Sequence, residues 1–104
     1  MNIKSIDHFV NLHPHMQKCL LDFINKYFTK QSSFNYEHTA YGLKQRFISL
    51  NYPLCTQHIT TKCFVEAATK LGFKTQLVPG YSSEDSKNWY FNAHIKTSLW
   101  KDKF

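Results

Sequence analysis

The chain has 104 residues with a formal net charge of +6 at pH 7, and 42% of its residues are hydrophobic and 16% aromatic. This composition is typical of one globular domain, which we expect to span residues 1–104, and it excludes an intrinsically disordered chain. No apolar run approaches the roughly 18–20 residues of a membrane span, and the N-terminus carries Asp7 and His8 where a secretory signal needs an apolar region. We therefore expect a cytoplasmic protein without a membrane partner.

Residues 1–30 are predicted to form an N-terminal helical extension. Ser5 can cap a short helix over residues 5–12. Pro14 suits the first position of a longer helix that continues to about Thr29. Apolar residues recur along this helix at helical spacing: Met16, Leu20, Phe23, Ile24, Tyr27 and Phe28. We expect a polar hinge at residues 30–33.

Residues 31–96 are predicted to form the core of the fold, which begins with a second long helix. This helix starts at Thr39 and is stopped by Pro53, which cannot donate a backbone hydrogen bond. Apolar residues recur along one side of it: Leu43, Phe47 and Leu50.

The clearest helix signal follows, between Thr60 and Phe73. Thr60 suits the N-cap, and Ile59 and Phe64 stand at the two positions of a hydrophobic staple. Gly72 lies where a left-handed cap residue ends a helix. The inward stripe has the spacing i, i+3, i+4 and i+7: Phe64, Ala67, Ala68 and Leu71. The exposed face is predicted to carry Thr61, Lys62, Val65, Glu66, Thr69 and Lys70.

A β-hairpin is predicted after this helix. Residues 74–78 form its first strand and residues 79–87 a polar turn. Residues 88–96 alternate between apolar and polar side chains, which is typical of a half-buried strand: Trp89, Phe91, Ala93 and Ile95 against Tyr90, Asn92 and His94. The remaining residues, 97–104, form a short basic and aromatic tail.

This order of elements predicts an α+β fold, a winged helix-turn-helix whose N-terminal helices are followed by a C-terminal β-hairpin wing. In such a fold the last helix presents its exposed face to DNA and the hairpin flanks it. The alternative is a small α+β domain with an ordinary solvated helix. Glu84 and Asp85 at the hairpin tip would repel phosphate, so either the wing faces away from DNA or its surface binds protein.

The basic residues favour a polyanionic partner. Arg46 is the single arginine among thirteen basic residues, and lysine acts mainly as a point charge on phosphate. We therefore expect DNA, single- or double-stranded, to be bound with weak sequence specificity. The candidate phosphate contacts are Lys44, Arg46, Lys62, Lys70 and Lys74, and Thr61 and Thr69 are candidates for approaching base edges.

Several aromatic residues lie outside the predicted core pattern: Tyr41, Tyr81, Tyr90, Trp100 and Phe104. Beside lysines, such side chains stack on unpaired bases. The alternative is that they pack in the core or anchor a protein partner.

A zinc site is a weaker interpretation. Its ligands would be Cys55, His58 and Cys63, completed by His13, His15 or Cys19. However, Cys63 falls within the first turn of the third helix and no second close pair follows, so free thiols explain the cysteines more simply. There is no Gly-rich phosphate loop and no telling carboxylate pair, so we expect neither an enzyme nor a cofactor.

The segments TAYGLKQRF, FVEAATKLGF and NWYFN together resemble a known pattern. Over residues 34–95 the chain resembles a family of small winged-helix proteins. These proteins are encoded by phages, islands and chromosomal cassettes of Gram-positive bacteria and are associated with replication genes. Residues 55–59 depart from that pattern. The resemblance implies a winged-helix domain that works with mobile-element replication proteins, on DNA or docked to an enzyme.

The sequence thus leads to two functional hypotheses. The first is a non-catalytic nucleic-acid-binding accessory protein of a mobile genetic element, acting in DNA replication with a polymerase, primase or helicase. The second is a protein-binding module that modifies or inhibits a replication or host defence enzyme without binding DNA itself. The single arginine and the acidic hairpin tip favour the second hypothesis.

Overall fold

A computed structural model describes residues 5–51, 57–80 and 87–102. Within these ranges the chain forms four α-helices and a three-stranded antiparallel sheet, so the α+β class is confirmed. The elements are α1 (Pro14–Tyr27), β1 (Phe28–Asn35), α2 (Ala40–Asn51), α3 (Thr61–Lys70), β2 (Thr75–Leu77), β3 (Trp89–Ile95) and α4 (Ser98–Lys101). Of the helices in the described residues, none has the length and apolar character needed to cross a membrane.

Helix α3 begins and ends as its sequence predicts. The Thr60 hydroxyl accepts a hydrogen bond from the Cys63 amide at 3.2 Å. Gly72 has a φ of 93°, its amide donates to the Thr69 carbonyl, and the Phe73 amide donates to the Ala68 carbonyl. These two bonds are those of a Schellman cap, which satisfies carbonyls that a helix end leaves free.

Strand β1 replaces the predicted hinge at residues 30–33, which was wrong. Helix α1 ends at Tyr27, two residues earlier than expected, and Phe28 then pairs with Ile95 of β3. The register between β1 and β3 is irregular between Lys30 and Asn35. The strand escaped prediction because its middle is polar and lacks the alternation that marks a strand.

The sheet has the order β1-β3-β2, with β3 in the centre. The predicted hairpin is confirmed, since β2 and β3 pair in the register Thr75↔Phe91 and Leu77↔Trp89. The predicted alternation also holds, because Phe91, Ala93 and Ile95 are buried. The hairpin tip with Glu84 and Asp85 lies outside the described residues.

The N-terminal segment does not form the predicted helix over residues 5–12. Ile6 instead pairs with Ile59 in an isolated parallel bridge, in which the Ile6 amide donates to the His58 carbonyl and the Thr60 amide to the Ile6 carbonyl. Between residue 5 and α1, the one helical turn is a 3-10 turn, Phe9–Asn11. Hydrogen bonds to the start of α3 thus take the place of helical ones.

The tail is not simply a basic, aromatic extension. It contains α4, whose Leu99 side chain is fully buried. Arg46 of α2 holds this helix in place, because its Nε donates to the Leu99 carbonyl and its Nη2 to the Asp102 carbonyl, both at 2.8 Å. Residues 103 and 104 lie outside the described part of the chain.

A cluster of aromatic rings joins the elements. Phe64 of α3 is fully buried, and its ring centroid lies 6.2 Å from that of Phe23, 6.1 Å from that of Phe28 and 6.1 Å from that of Phe91. These rings come from α1, β1 and β3. Tilted and edge-on aromatic pairs each add about 0.5–1.5 kcal/mol to the effect of burial, so the cluster fixes α3 against the sheet.

Gly72→Ala is expected to lower the free energy of unfolding by about 1–2 kcal/mol. A left-handed backbone costs a side-chain-bearing residue that amount, and the new Cβ would lie 2.8 Å from Lys30 Nζ. Gly42→Ala is the matched control, because the Cβ added within α2 would meet its nearest neighbour, Thr39 Oγ1, at 3.7 Å. It should be neutral or stabilise by up to about 1 kcal/mol. Urea unfolding followed by circular dichroism measures both, and a Gly72→Ala protein as stable as the wild type would contradict the left-handed cap.

Candidate nucleic-acid interface

The outward face of α3 agrees only in part with its prediction. Lys62, Thr69 and Lys70 are exposed, and Thr61 is half-buried. Val65 was expected on this face but is only 9% exposed, so that expectation was wrong. The Thr69 hydroxyl donates a hydrogen bond to the Glu66 carbonyl within the helix at 3.0 Å.

One edge of this face is covered by the N-terminal segment. Glu66 Oε1 accepts a hydrogen bond from the Phe9 amide at 2.9 Å, and Glu66 Oε2 lies 3.0 Å from His8 Nδ1. The Phe9 ring is buried, and Lys70 Nζ lies 5.7 Å from its centroid. The strip of α3 that stays open therefore carries Lys62 and Thr69, with Lys70 at its margin.

Glu66 keeps its negative charge and is held by the N-terminal segment. Burial would raise the pKa of Glu66, but the hydrogen bonds from Phe9 and His8 and the positive charges of His8 and Lys62 lower its pKa overall. Glu66 is the one acid of α3. Its carboxylate is engaged by Phe9 and His8 at the covered edge of the α3 face.

Three of the predicted phosphate contacts remain available. Lys62, Lys70 and Lys74 are exposed. The ion pairs among residues 5–51, 57–80 and 87–102 are His8–Glu66, Lys18–Asp22 and Lys26–Asp102, and none of them involves these lysines. Lys74 leads into β2, where its amide donates to Asn92 Oδ1 at 2.7 Å.

Lys44 and Arg46 do not fit their predicted role as phosphate contacts. Lys44 is only 9% exposed, its Nζ lies 4.8 Å from the centroid of the Tyr41 ring, and burial lowers the pKa of its amine. Arg46 uses its guanidinium to hold the carbonyls of Leu99 and Asp102. Both side chains serve the fold, so neither belongs to the interface proposed below.

The predicted aromatic candidates lie on separate elements. Tyr41 on α2 is 51% exposed and Trp100 on α4 is 45% exposed, and the Trp100 ring stacks on His38 at 4.9 Å. Tyr90 on β3 is half-buried. The described contacts do not join these three rings in one platform, and Tyr81 and Phe104 lie outside the described residues.

The prediction missed Tyr36, which directly follows β1 and is 61% exposed. Its ring meets the ring of Tyr90 edge-on, with centroids 4.9 Å apart. Within the segment TKQSSFNY, residues 30–33 were interpreted as a polar hinge. Its content of Thr, Phe and Tyr favours a strand and was the available signal.

Cys63, one of the candidate zinc ligands, lies in the hydrophobic core. Cys63 is fully buried, and burial together with the nearby negative charges of Glu66 and Asp7 raises the pKa of its thiol to about 12. Zinc binds the thiolate form of cysteine, which a raised pKa disfavours. Of the other two candidate ligands, His58 is exposed and Cys55 lies outside the described residues. Of the side chains that the structure describes, no three from His, Cys, Asp or Glu gather where they could hold a metal ion.

Glu66→Gln is expected to remove a pH dependence from the attachment of the N-terminal segment. Because the folded-state pKa is lowered, ionised Glu66 stabilises the folded state above the free pKa of about 4.3. This stabilisation is lost as the pH falls through the lower folded-state pKa. Hydrogen exchange at the Phe9 amide, measured as a function of pH, tests this.

Glu37→Gln is the control, since Glu37 is exposed and lies outside the contact. Protection of Phe9, corrected for the intrinsic exchange rate, should fall on acidification in the wild type and in Glu37→Gln. It should stay nearly constant in Glu66→Gln. Parallel pH profiles in all three proteins would contradict the role given to Glu66.

Comparison with protein-family models, with curated proteins and with solved structures finds no match. The resemblance to winged-helix proteins of mobile elements therefore stays a prediction. Function is argued below from the residues and the geometry of this chain.

Proposed function

We propose that this protein binds nucleic acid without catalysing a reaction, and that Lys62, Lys70 and Lys74 contact the phosphate backbone. The observation that carries the proposal is that these lysines are exposed and that none of them forms an ion pair among the described residues. The acid of the same helix, Glu66, is held by His8 and Phe9. The three ammonium groups are thus open to a phosphate.

Phosphate binding is favoured over base reading for physical reasons. Lysine ammonium groups release counterions from a nucleic acid and gain affinity that does not depend on sequence. Arg46, which has the geometry to read guanine, is occupied by backbone carbonyls. The Thr69 hydroxyl already donates to Glu66, and Thr61 is half-buried. We therefore propose weak sequence specificity.

We also propose that the fold is a winged helix. Support comes from the order α2, α3 and then the hairpin of β2 and β3, with β1 completing the sheet on the far side of β3. The hairpin would act as the wing and α3 as the helix that approaches DNA. Because the N-terminal segment covers the Glu66 edge of α3, the approach would be made through the Lys62 side.

The biological setting is proposed from the resemblance alone. A winged-helix protein encoded near mobile-element replication genes would serve in the cytoplasm as an accessory in DNA replication. Its protein partner would be a polymerase, primase or helicase. The positive charge of the chain supports DNA as the shared ligand of such a complex.

Exposed aromatic residues favour a second candidate function, a protein-binding module that modifies or inhibits a replication or host defence enzyme. Tyr41 and Trp100 project from α2 and α4, and Val10 is 76% exposed beside α3. Tyrosine and tryptophan commonly anchor protein interfaces. A stable protein partner together with no DNA binding at physiological salt would favour this function over the first.

The double variant Lys62→Glu plus Lys70→Glu is expected to weaken binding to a labelled DNA duplex. Loss of two phosphate contacts should reduce the slope of log affinity against log salt by about 2. Fluorescence anisotropy over a salt series measures both quantities. Because both side chains are exposed, the fold should persist, which an unfolding curve checks.

Lys18→Glu plus Lys101→Glu is the control for net charge, and its fold is checked by the same unfolding curve because Lys18 pairs with Asp22. It makes the same change in net charge at exposed sites on α1 and α4. This control should lose much less affinity than the α3 variant. Its slope of log affinity against log salt should stay closer to that of the wild type. Unchanged affinity in Lys62→Glu plus Lys70→Glu would remove α3 from the binding site.

A further inference from the structure

The sheet has one face that no described element covers. Its inner face carries Phe28, Phe91, Ala93 and Ile95, all buried. Residues paired across strands share a face and alternate with the buried ones, so the pairs Thr29↔His94 and Gln76↔Tyr90 lie on the outer face. The outer face thus includes Thr29, Tyr36, Gln76, Tyr90, Asn92 and His94.

A tyrosine pair dominates one end of the outer face. The Tyr36 and Tyr90 rings meet edge-on at 4.9 Å and 84°. The Tyr36 hydroxyl donates to Gln76 Oε1 at 3.0 Å, which ties the ring to β2. Tyr36 is nevertheless 61% exposed. A large aromatic surface is therefore held in a fixed orientation while open to solvent.

The rest of the outer face is polar, with unused hydrogen-bonding groups. Thr29 and His94 are exposed, and their side chains have no hydrogen-bond partner among the described residues. Asn92 uses its Oδ1 to accept from the Lys74 amide, which leaves its amino group to donate. Such groups suit the edges of nucleobases, which present both donors and acceptors.

Positive charge borders the same face. The three strands contain no acidic residue. Lys74 directly precedes β2 and lies across from Asn92, and Lys96 directly follows β3; both are exposed. Among the described acidic residues, Glu37 lies closest to these strands in the sequence, directly after Tyr36. The face thus combines aromatic rings with neighbouring cations, which is complementary to a polyanion that carries aromatic bases.

We propose that the outer face of the sheet binds single-stranded nucleic acid, with bases stacked on Tyr36 and Tyr90 and phosphates near Lys74 and Lys96. The inference rests on the proposed nucleic-acid binding and adds a second surface and a strand form to it. A duplex buries the faces of its bases within the stack, whereas a single strand can turn them onto an aromatic platform. Stacking tolerates any base sequence, which agrees with weak specificity.

The test compares Tyr36→Leu plus Tyr90→Leu with the wild type. The probes are a labelled oligothymidylate and a labelled duplex of equal length, both followed by fluorescence anisotropy. Loss of both rings should weaken single-strand binding about tenfold or more and leave duplex binding unchanged. Tyr36→Phe is the control that keeps the ring and removes the hydroxyl, and it should retain most of the single-strand affinity.

Each outcome decides between the inference and the function on which it rests. Undiminished single-strand affinity in the leucine variant overturns the stacking platform, as does an equal loss on duplex. Wild-type binding to duplex with none to oligothymidylate overturns the platform and leaves the α3 interface standing. Binding to neither probe overturns both. If the double variant does not fold, Tyr36→Leu alone replaces it, because Tyr36 is exposed.

Discussion

The burial of Phe64 is the constraint on which the rest of the structure depends. Its ring contacts aromatic rings from α1, β1 and β3. These contacts fix the rotation of α3 about its own axis relative to the sheet. That setting turns Lys62 and Thr69 outward. It also fixes which face of the sheet is packed and which is open, and both proposed binding surfaces follow from it.

In the proposed function, the two surfaces would divide the recognition of a nucleic acid between them. The α3 side offers the charge of its lysines, and the N-terminal segment holds Glu66 at one edge of it. The outer face of the sheet offers aromatic rings, held by the bond between Tyr36 and Gln76. Lys74 lies where the chain passes from one surface to the other, since it follows the α3 cap and begins the approach to β2. A single strand leaving a duplex would meet charge on one surface and stacking on the other.

Sequence patterns predicted the elements whose signals are local. Thr60 and Gly72 mark the ends of α3 through bonds within a few residues, and β3 shows its alternation directly. Strand β1 is polar in its middle and exists because β3, some sixty residues later, pairs with it. The same holds for Ile6, which depends on Ile59. The burial of Lys44 and the bonds of Arg46 to α4 also depend on the folded chain, so charge alone could not reveal them.

The most direct test of the account is the affinity of the wild-type protein for labelled single-stranded and duplex DNA over a salt series. The account predicts binding at low salt and a steep linear fall of log affinity with log salt, whose slope estimates the number of phosphates contacted. Absence of binding to both forms of DNA even at low salt would contradict it. The exposed lysines would then have to be explained by a protein partner.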